Sequence, residues 1–271
     1  MDPFKIDGPT CISFSGGRTS AYMLWRVLQS NGGLPADAVV CFANTGKEDE
    51  ASLAFVQECS ERWSVPIVWL EYRPGRAYAV VSYETASRDG QPFDAVIAER
   101  QFLPNAVMRF CTVELKILTM ARYLWGQGWT EWDSLIGIRA DEPARVASVR
   151  ANPSGGTRGV DRHMPLAEAG VSNQEVLAFW GTQPFDLQLP TINGKTMHGN
   201  CDLCQLKPPA QRLALIREKP SRGIWWVRKE EERGGRFCRD GPSYAELIKF
   251  AAEQRDMFDP TEEAIACFCG D

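Results

Sequence analysis

The chain has 271 residues, of which 24% are charged, and a net charge of -5 at pH 7. This length can bury a sizeable core, and the small negative charge excludes a global attraction to nucleic acid or to anionic membranes. No uninterrupted apolar stretch approaches the roughly 18 residues that a membrane span needs, and the first ten residues lack the apolar segment of a secretory signal. We therefore expect a cytoplasmic protein with no membrane partner.

The predicted elements alternate between strand and helix through the first half of the chain. Short apolar runs predict strands at residues 11–14, 38–42, 67–70 and 134–138. Helical spacing of apolar residues predicts helices at residues 19–31, 51–63 and 113–126. This alternation predicts an α/β fold with a doubly wound, mostly parallel sheet, which binds ligands at the carboxyl ends of its strands.

The regular alternation of strand and helix patterns ends after about residue 150. A Gly/Pro/Ser-rich loop, ANPSGGTRG, precedes a short predicted helix at residues 173–180, an irregular stretch, and a last predicted helix at residues 244–254. We therefore expect an α/β domain over residues 1–150. A C-terminal elaboration that bears cysteines should follow over residues 151–271, packed on the same core.

The stretch FSGGRTS follows the first predicted strand and opens the first predicted helix. Gly16 and Gly17 can let main-chain N–H groups approach an anion, and the helix directs its positive end at the same place. Ser15, Thr19 and Ser20 add hydroxyl groups, and the Arg18 side chain adds charge. The sequence therefore predicts a phosphate site here, with an ordinary strand-to-helix turn as the alternative.

Nine cysteines in a chain expected in a reducing compartment argue against a disulfide framework and for metal or redox chemistry. Cys201 and Cys204 form a C-x-x-C, which can bind a metal or a cluster or act as a redox pair. Cys11, Cys41 and Cys59 lie on predicted strands or a helix, where we expect buried packing roles.

Five motifs in order resemble the PAPS/APS reductase family of the PP-loop ATP pyrophosphatase superfamily. SGGRTS is similar to the PP-loop pattern S-G-G-x-[DT]-S, and the loop FANTGKEDE is similar to one that follows the second strand of these reductases. The remaining motifs follow in the family's order: RFCTVELK, then GIRADEPAR, then the pair MPLAEAGVSNQEVLAFW with GNCDLC. The resemblance covers about residues 10–207.

The resemblance implies an adenine nucleotide α-hydrolase-like fold, a site for ATP or an adenosine phosphosulfate-type nucleotide, and Mg²⁺ as a further cofactor. The residues it implies at the nucleotide are Ser13, Ser15, Gly16, Gly17, Arg18, Thr19, Ser20, Asn44, Thr45, Gly46 and Glu48. Those it implies at the phosphate or sulfate of the substrate are Lys116, Arg139 and Arg145, with an ion pair of the two arginines to Asp141 or Glu142 as the alternative. Those it implies as ligands of a [4Fe–4S] cluster are Cys111, Cys201 and Cys204.

The chain departs from the family pattern at three places. Phe110 replaces the first cysteine of a Cys-Cys pair, Pro143 replaces a serine, and the C-terminal ACFCGD lacks the histidine that follows the reductase nucleophile. Cys267 is a candidate fourth cluster ligand and Cys269 a candidate nucleophile that attacks sulfur, although either can take either role. The tail can also be inert, which leaves one iron open, and Cys238 is a weaker candidate ligand.

The function we infer first is sulfur transfer or sulfonucleotide chemistry by a PP-loop enzyme, with a sulfur-donor protein or a thioredoxin-like reductant as partner. The alternative is ATP-dependent thiolation of tRNA or DNA, and a second alternative is a non-catalytic module that binds nucleotide or cluster. Residues 212–239 carry nine Lys/Arg against four Glu, which favours an RNA or DNA partner slightly. Trp225 and Trp226 could stack a base there, although packing is the preferred interpretation.

Overall fold

The computed structural model describes residues 2–192, 195–199 and 201–253 of the chain. Its strands are β1 (Thr10–Phe14), β2 (Ala38–Asn44), β3 (Ile67–Arg73), β4 (Ala77–Val81), β5 (Trp132–Ile136), β6 (Val160–His163), β7 (Thr191–Ile192) and β8 (Lys195–Thr196). Its α-helices are α1 (Arg18–Asn31), α2 (Glu50–Trp63), α3 (Gln91–Arg100), α4 (Leu118–Gly126), α5 (Pro143–Ala151), α6 (Pro165–Glu168), α7 (Asn173–Trp180), α8 (Pro209–Glu218), α9 (Arg222–Arg233) and α10 (Tyr244–Ala252). A π-helix, Thr112–Ile117, leads directly into α4.

Six strands form one sheet in the order β4-β3-β2-β1-β5-β6. The pairs β1–β2, β1–β5, β2–β3 and β5–β6 are parallel, and only β4 runs antiparallel, beside β3. The strand order turns at β1, which lies between β2 and β5, so the carboxyl ends of these three strands meet at one edge. The predicted α/β fold with a mostly parallel sheet is confirmed.

Side chains of β1 alternate between the two faces of the sheet. Ile12 and Phe14 are buried in the core that also contains residues of α1, α2 and α7. Cys11 belongs to a different core, together with Leu124 and Trp132, on the face covered by α4. Because each face of the sheet is covered by helices, the central strands are apolar throughout rather than alternating with polar residues.

The region after residue 150 contributes to the sheet and also forms a second core. Strand β6 pairs with β5, and α7 packs on α1. Helices α8, α9 and α10 pack with α3 around Phe93, Trp226 and Tyr244, and this second core reaches the sheet through Tyr72 of β3. Cys111, Cys201 and Cys204 all belong to or pack against the second core.

Local sequence explains where two of the helices begin. Both α7 and α10 begin with a capping box, formed by Ser172 with Glu175 and by Ser243 with Glu246.

The predicted strand at 134–138 is shifted, since the observed β5 starts and ends two residues earlier. No helix in the described part of the chain combines the length and the apolar character that a membrane span requires.

Candidate functional site

The turn after β1 (residues 15–20) is held by its own hydroxyl groups. The N–H of Ser15 donates to Oγ of Ser20 at 3.1 Å, and the two hydroxyl oxygens lie 2.9 Å apart. Gly16 has a φ of +81°, and a Cβ at this position would lie 3.3 Å from the ring of Phe42. Both the backbone conformation and the limited space therefore favour glycine at position 16.

The N-terminus of α1 faces this turn without a side-chain cap. Its N-cap residue is Gly17, which has no side chain to accept a hydrogen bond, and its first turn contains no acidic residue. By contrast, α2 is capped by the carboxylate of Asp49. The positive end of the α1 dipole is therefore not neutralised at the turn, which is the arrangement that binds phosphate at helix N-termini.

Arg139 reaches the same turn from the end of β5. Its Nη1 donates to Oγ1 of Thr19 at 2.9 Å, and its Nε donates to Asp141 at 2.9 Å. The close approach depends on Gly137, because a Cβ there would lie 3.1 Å from Cα of Ser20. A guanidinium group therefore stands beside the uncapped helix end.

Arg145 lies deeper, on α5, and is 6% exposed. It shares Glu142 with Arg139: Nη1 of Arg145 pairs with Glu142, whose other oxygen accepts from the backbone N–H of Arg139 at 2.9 Å. Nε and Nη2 of Arg145 have no hydrogen-bond partner among the described residues. The predicted arginine pair is thus brought together, and both members also make the ion pairs that were the alternative.

Arg18 is held away from the turn by acceptors within the chain. Its guanidinium forms two hydrogen bonds of 2.7 Å to Asp186, and Nη1 donates to Oγ1 of Thr191 at 2.6 Å. Nη2 of Arg18 also donates to the carbonyl oxygen of Leu187 at 3.0 Å. This side chain connects α1 to the segment before β7 in the structure.

The loop after β2 (residues 44–48) is organised by internal hydrogen bonds. The amide nitrogen of Asn44 donates to Glu71 at 2.7 Å, and its oxygen accepts from the N–H of Gly46 at 3.0 Å. The carboxylate of Glu48 accepts from the N–H and the hydroxyl of Thr45, each at 2.9 Å. These residues shape the loop, and their side chains are satisfied within the protein.

Lys116 lies between this loop and a cavity. Its Nζ is 3.8 Å from Oε1 of Glu48, and the side chain is 14% exposed. The residue sits on the π-helix, five positions after Cys111, and π-helical turns are frequent at functional sites. The structure therefore brings Lys116 to the loop that also contacts Cys201.

The cavity lies between the sheet and α4 and has a volume of about 110 Å³. That is far more than the roughly 10–15 Å³ that one water needs, so it can hold part of a larger ligand. Its lining residues near the turn are Ser13, Ser15, Ser20, Lys116 and Gly137, and its apolar wall is formed by Ile117, Met120, Leu124, Trp132 and Val160. An apolar slot with a few polar groups at one end is typical of a small-molecule site.

Cys201 lies against the loop at residues 44–48. Its Sγ is 3.5 Å from Oγ1 of Thr45, its backbone forms an isolated bridge with Glu48, and the N–H of Asp202 donates to the carbonyl oxygen of Lys47 at 2.7 Å. The C-x-x-C therefore docks at the carboxyl edge of the sheet.

The other two predicted ligands and Cys238 lie around the same second core. Cys111 forms the N-cap of the π-helix. The thiol of Cys204 donates to Oε1 of Gln205 at 3.9 Å, and the thiol of Cys238 donates to the backbone oxygen of the same residue at 3.4 Å. Gln205 thus contacts both thiols. Burial raises the pKa of the Cys238 thiol, and the Arg212 guanidinium beside it acts in the opposite direction.

Among the described residues, the cysteine sulfurs do not form a compact set of ligands for a single zinc ion. In a tetrahedral zinc site with Zn–S bonds of about 2.3 Å, the sulfurs lie about 3.8 Å apart. Among the described residues, the one group of three His, Cys, Asp or Glu ligand atoms within 4.8 Å of one another is Asp133, Asp161 and His163, not the cysteines. Thiolates of a cluster bind different irons and stand further apart.

Orphaned donors beside the cysteines point to a missing acceptor. Arg212 is 2% exposed, yet its Nε and Nη1 have no hydrogen-bond partner in the described part of the chain. Nε2 of Gln205 is likewise buried and unpartnered there. Buried donors in native structures are nearly always satisfied, so Arg212 and Gln205 can donate to an acceptor bound at the cysteine site.

Cys11, Cys41 and Cys59 are buried, as predicted. A hydrogen bond with Cys11 and burial raise the pKa of the Cys41 thiol, and burial raises that of Cys59, so both stay protonated. Cys267 and Cys269 lie outside the described residues.

Trp225 and Trp226 are 7% and 0% exposed, and Nε1 of Trp226 donates to Asp202 at 2.9 Å. Both tryptophans pack in the second core, which confirms the packing interpretation. Within the basic residues 212–239, some charges are used inside the protein: Arg222 forms an ion pair with Asp49 at 2.7 Å.

Sequence reasoning missed the outer wall of the cavity. Ser154, Thr157 and Arg162 line it, and Nε of Arg162 donates to the carbonyl oxygen of Pro153 at 3.0 Å. The loop ANPSGGTRG gave a turn signal but no indication of what it covers. Arg212 and Gln205 carried no signal either, because only their burial distinguishes them.

The fold and the site define an α/β protein with a glycine-containing strand-to-helix turn and a cysteine-bearing helical extension. No family model matches the chain. It is 33% identical over 244 residues to the uncharacterized nin region protein ORF290 of Escherichia phage lambda, covering 85% of this chain and 76% of that protein. The chain therefore belongs to the family of that phage protein.

Two solved structures are similar in fold. Phosphoadenylyl-sulfate (PAPS) reductase from Candida auris, in a phosphate complex, aligns with a TM-score of 0.43 and 14% identity, over 72% of this chain and 90% of that one. The U34-tRNA thiolase NcsA from Methanococcus maripaludis, with its [4Fe-4S] cluster, aligns with a TM-score of 0.43 and 13% identity, over 94% of this chain and 75% of that one.

Proposed function

We propose that the chain is a PP-loop enzyme of sulfur metabolism, which binds the phosphates of ATP or of an adenosine phosphosulfate-type nucleotide and carries a [4Fe–4S] cluster. The observation that carries the proposal is a convergence at one edge of the sheet. The uncapped N-terminus of α1, with Arg139 beside it, follows β1, and the loop at the end of the neighbouring strand β2 contacts the C-x-x-C.

The phosphate is held at the turn by residues 15–20. N–H groups of the first turn of α1 donate to its oxygens, and Arg139 exchanges its hydrogen bond with Thr19 for a contact to the anion. Arginine suits this role because its planar guanidinium makes paired contacts to phosphate oxygens. Arg145, with two unpartnered nitrogens, adds positive charge behind it.

The base and sugar of the nucleotide enter the cavity next to the turn. Leu124 and Trp132 provide the apolar wall, and Ser13 provides a hydroxyl at the floor. Lys116 stands where it can neutralise charge that develops on a leaving phosphate or on sulfur, because it faces both the cavity and Glu48. Mg²⁺ would accompany the nucleotide phosphates.

Cys111, Cys201 and Cys204 are the cluster ligands in this proposal. When bound, a cluster there supplies electrons or a sulfur-binding metal surface near the nucleotide. The chain's own contribution is to dock the ligand loop on the sheet and to exclude water from it, since Cys201 is 9% exposed and Leu203 is fully buried.

Nucleotide binding by the purified chain tests the first half of the proposal. We expect ATP or adenosine phosphosulfate to bind, and Arg139→Ala to weaken binding about 10-fold to 100-fold, as the loss of a charged hydrogen bond predicts. Arg150→Ala is the matched control, because Arg150 is exposed on the same loop-and-helix segment. Equal affinities for the two variants, or no binding by the unaltered chain, would contradict the nucleotide site.

Iron and acid-labile sulfide measured after anaerobic purification test the second half. About four of each per chain are expected, with the broad visible absorption of thiolate-bound clusters. Zinc alone, or no metal after reconstitution, would refute the cluster and leave the nucleotide site standing.

A further inference from the structure

Cys238 is positioned more firmly than a surface cysteine in a loop. It follows Phe237, which is 1% exposed, and the carboxylate of Glu230 accepts hydrogen bonds from the N–H of Phe237 at 3.1 Å and from the N–H of Tyr244 at 2.9 Å. The segment between α9 and α10 is therefore fastened on both sides of Cys238. Its thiol reaches the backbone oxygen of Gln205, directly after the C-x-x-C.

Arg212 places a buried positive charge at the same point. Among the described residues, no carboxylate lies within salt-bridge distance of it, and its guanidinium lies 5.5 Å from the centre of the Tyr244 ring. A buried cation without an anionic partner is costly. The nearby carboxylate of Glu230 is already taken up by the N–H groups of Phe237 and Tyr244, so thiolates, or a group that they hold, would supply negative charge in direct contact with Arg212.

Gln205 links this charge to the C-x-x-C. Its side-chain oxygen accepts from Cys204, its backbone oxygen accepts from Cys238, and its Nε2 is left without a partner in the described structure. When both cysteines give up their protons to a metal group, these hydrogen bonds disappear. The amide and guanidinium donors can then turn to the sulfur atoms.

We propose that Cys238 is the fourth thiolate ligand of the cluster, beside Cys111, Cys201 and Cys204, and that Arg212 and Gln205 donate N–H groups to its sulfur atoms. This inference rests on the proposed function, because it presupposes that a cluster binds. Its consequence is chemical: four protein thiolates leave no iron open to bind exogenous sulfide. The cluster then acts in electron transfer or in shaping the site, and Cys267 and Cys269 are free of it.

Iron content of cysteine variants tests the fourth ligand. After anaerobic reconstitution, we expect about four irons per chain in the unaltered protein, in Cys59→Ala and in the double variant Cys267→Ala/Cys269→Ala. We expect Cys238→Ala to hold about three irons and to give the electron paramagnetic resonance signal of a three-iron cluster. Cys59→Ala is the control for loss of a buried thiol elsewhere.

The outcomes separate the two proposals. Four irons in Cys238→Ala, with an unchanged signal, would overturn the fourth-ligand assignment and leave the cluster itself intact. Loss of iron from the tail double variant would transfer the role to Cys267 or Cys269, which also overturns it. No iron in the unaltered chain would refute the cluster and, with it, this inference.

Alkylation of the unaltered protein gives a second readout that does not depend on a variant folding. In the reconstituted protein, Cys238 and Cys204 should both resist iodoacetamide, and both should react once the iron has been removed by oxidation and chelation. Modification of Cys238 in the iron-loaded protein would overturn the assignment.

Arg212 is tested by the reduction potential of the cluster. Arg212→Met should keep about four irons and move the potential to a more negative value, because a positive charge and N–H donors near a cluster favour its reduced form. Arg217→Met, an exposed position on the same helix, is the control. An unchanged potential in Arg212→Met would contradict the donor role.

Discussion

The hydroxyl of Thr45 lies 3.5 Å from Sγ of Cys201, across a separation of 156 residues. The same hydroxyl contacts both carboxylate oxygens of Glu48 at 2.9 Å. The loop that ends β2 is therefore the physical link between the parallel sheet and the C-x-x-C. Anything that loosens this link should affect the stability of the protein and the cysteine site together.

Thr45→Val removes that link with little change in shape. We expect the free energy of unfolding to fall by about 1–2 kcal/mol, because Glu48 loses a buried hydrogen bond. We also expect iron to be lost faster from the reconstituted protein. Chemical denaturation and iron retention over time measure the two effects.

Thr182→Val is the control for Thr45→Val, because its hydroxyl donates to the Phe179 carbonyl oxygen at an exposed site. It should cost less than about 0.5 kcal/mol. If both variants behave alike, the loop does not hold the C-x-x-C as described.

Arg18 and Asp186 form a second long-range pair, and it separates two roles for Arg18. Both Arg18→Met and Asp186→Asn should lower the free energy of unfolding, by about 1–3 kcal/mol, because each leaves a partly buried partner without its ion pair. ATP affinity should stay within about twofold in both variants, which corresponds to less than about 0.5 kcal/mol, because the Arg18 guanidinium is held away from the turn.

A double-mutant cycle checks the pair, because the two effects should not be additive if the residues interact. From the sequence, the Arg18 side chain is predicted to contact a phosphate. That role would be supported instead if Arg18→Met weakened ATP binding tenfold while Asp186→Asn did not.

Much of the first half of the fold could be predicted from local patterns. The apolar run before Ser15 and the glycines after it gave β1, the turn and α1, because strand burial and glycine geometry are local properties. The π-helix was predicted only as part of a longer helix, since its apolar spacing resembles that of an α-helix.

The rest depends on contacts between distant segments. Strand β4 (AYAVV) has an apolar run like the central strands, but it is partly exposed and pairs antiparallel at the edge of the sheet, and this placement depends on its pairing with β3. The burial of Trp226 and Arg212 is decided by the packing of α8, α9 and α10. Residues 212–239, whose nine Lys/Arg favoured a nucleic-acid partner, can therefore contain a fully buried arginine.

Gly137→Ala tests the approach of β5 to the phosphate turn. The added Cβ would lie 3.1 Å from Cα and 3.2 Å from the backbone nitrogen of Ser20, so the N-terminus of α1 must shift. We expect ATP affinity to fall at least tenfold, because preorganised N–H groups are displaced. Gly235→Ala is the matched control, since its Cβ would find the nearest atom at 3.9 Å; equal affinities would contradict the site.

Glu114 provides a pH-dependent test of the π-helix. Burial raises its pKa, but hydrogen bonds from Arg122, at 2.7 Å, and from Arg100 outweigh burial and hold the pKa below its usual value. A lowered folded-state pKa stabilises the protein above the unfolded pKa of about 4.3, and this contribution is lost as pH falls through the lower folded value.

Glu114→Gln should therefore lower the free energy of unfolding by about 2 kcal/mol at pH 7, and this difference should shrink below about pH 4. Denaturation at several pH values measures it. Glu58→Gln, which breaks an exposed pair with Arg62, should cost less than about 0.5 kcal/mol at any pH. A pH-independent difference for Glu114→Gln would contradict the ion-pair explanation.

Asp202, between the two cysteines of the C-x-x-C, should be the most sensitive carboxylate of the cysteine site. It is 8% exposed, pairs with Nζ of Lys47 at 3.2 Å and accepts from Nε1 of Trp226 at 2.9 Å. Asp202→Asn leaves the buried Lys47 ammonium without its counter-charge, which costs about 3 kcal/mol. Asp202 contacts both the loop at residues 44–48 and α9. Because the substitution weakens these contacts, the iron content after reconstitution should also be lower.

Denaturation and iron content distinguish this variant from Asp37→Asn, an exposed aspartate whose side chain should matter little. Lys47→Met combined with Asp202→Asn should recover part of the lost stability, since the unpaired buried charge is then removed as well. If the double variant is no more stable than Asp202→Asn alone, the cost comes from packing of the loop rather than from the uncompensated ammonium of Lys47.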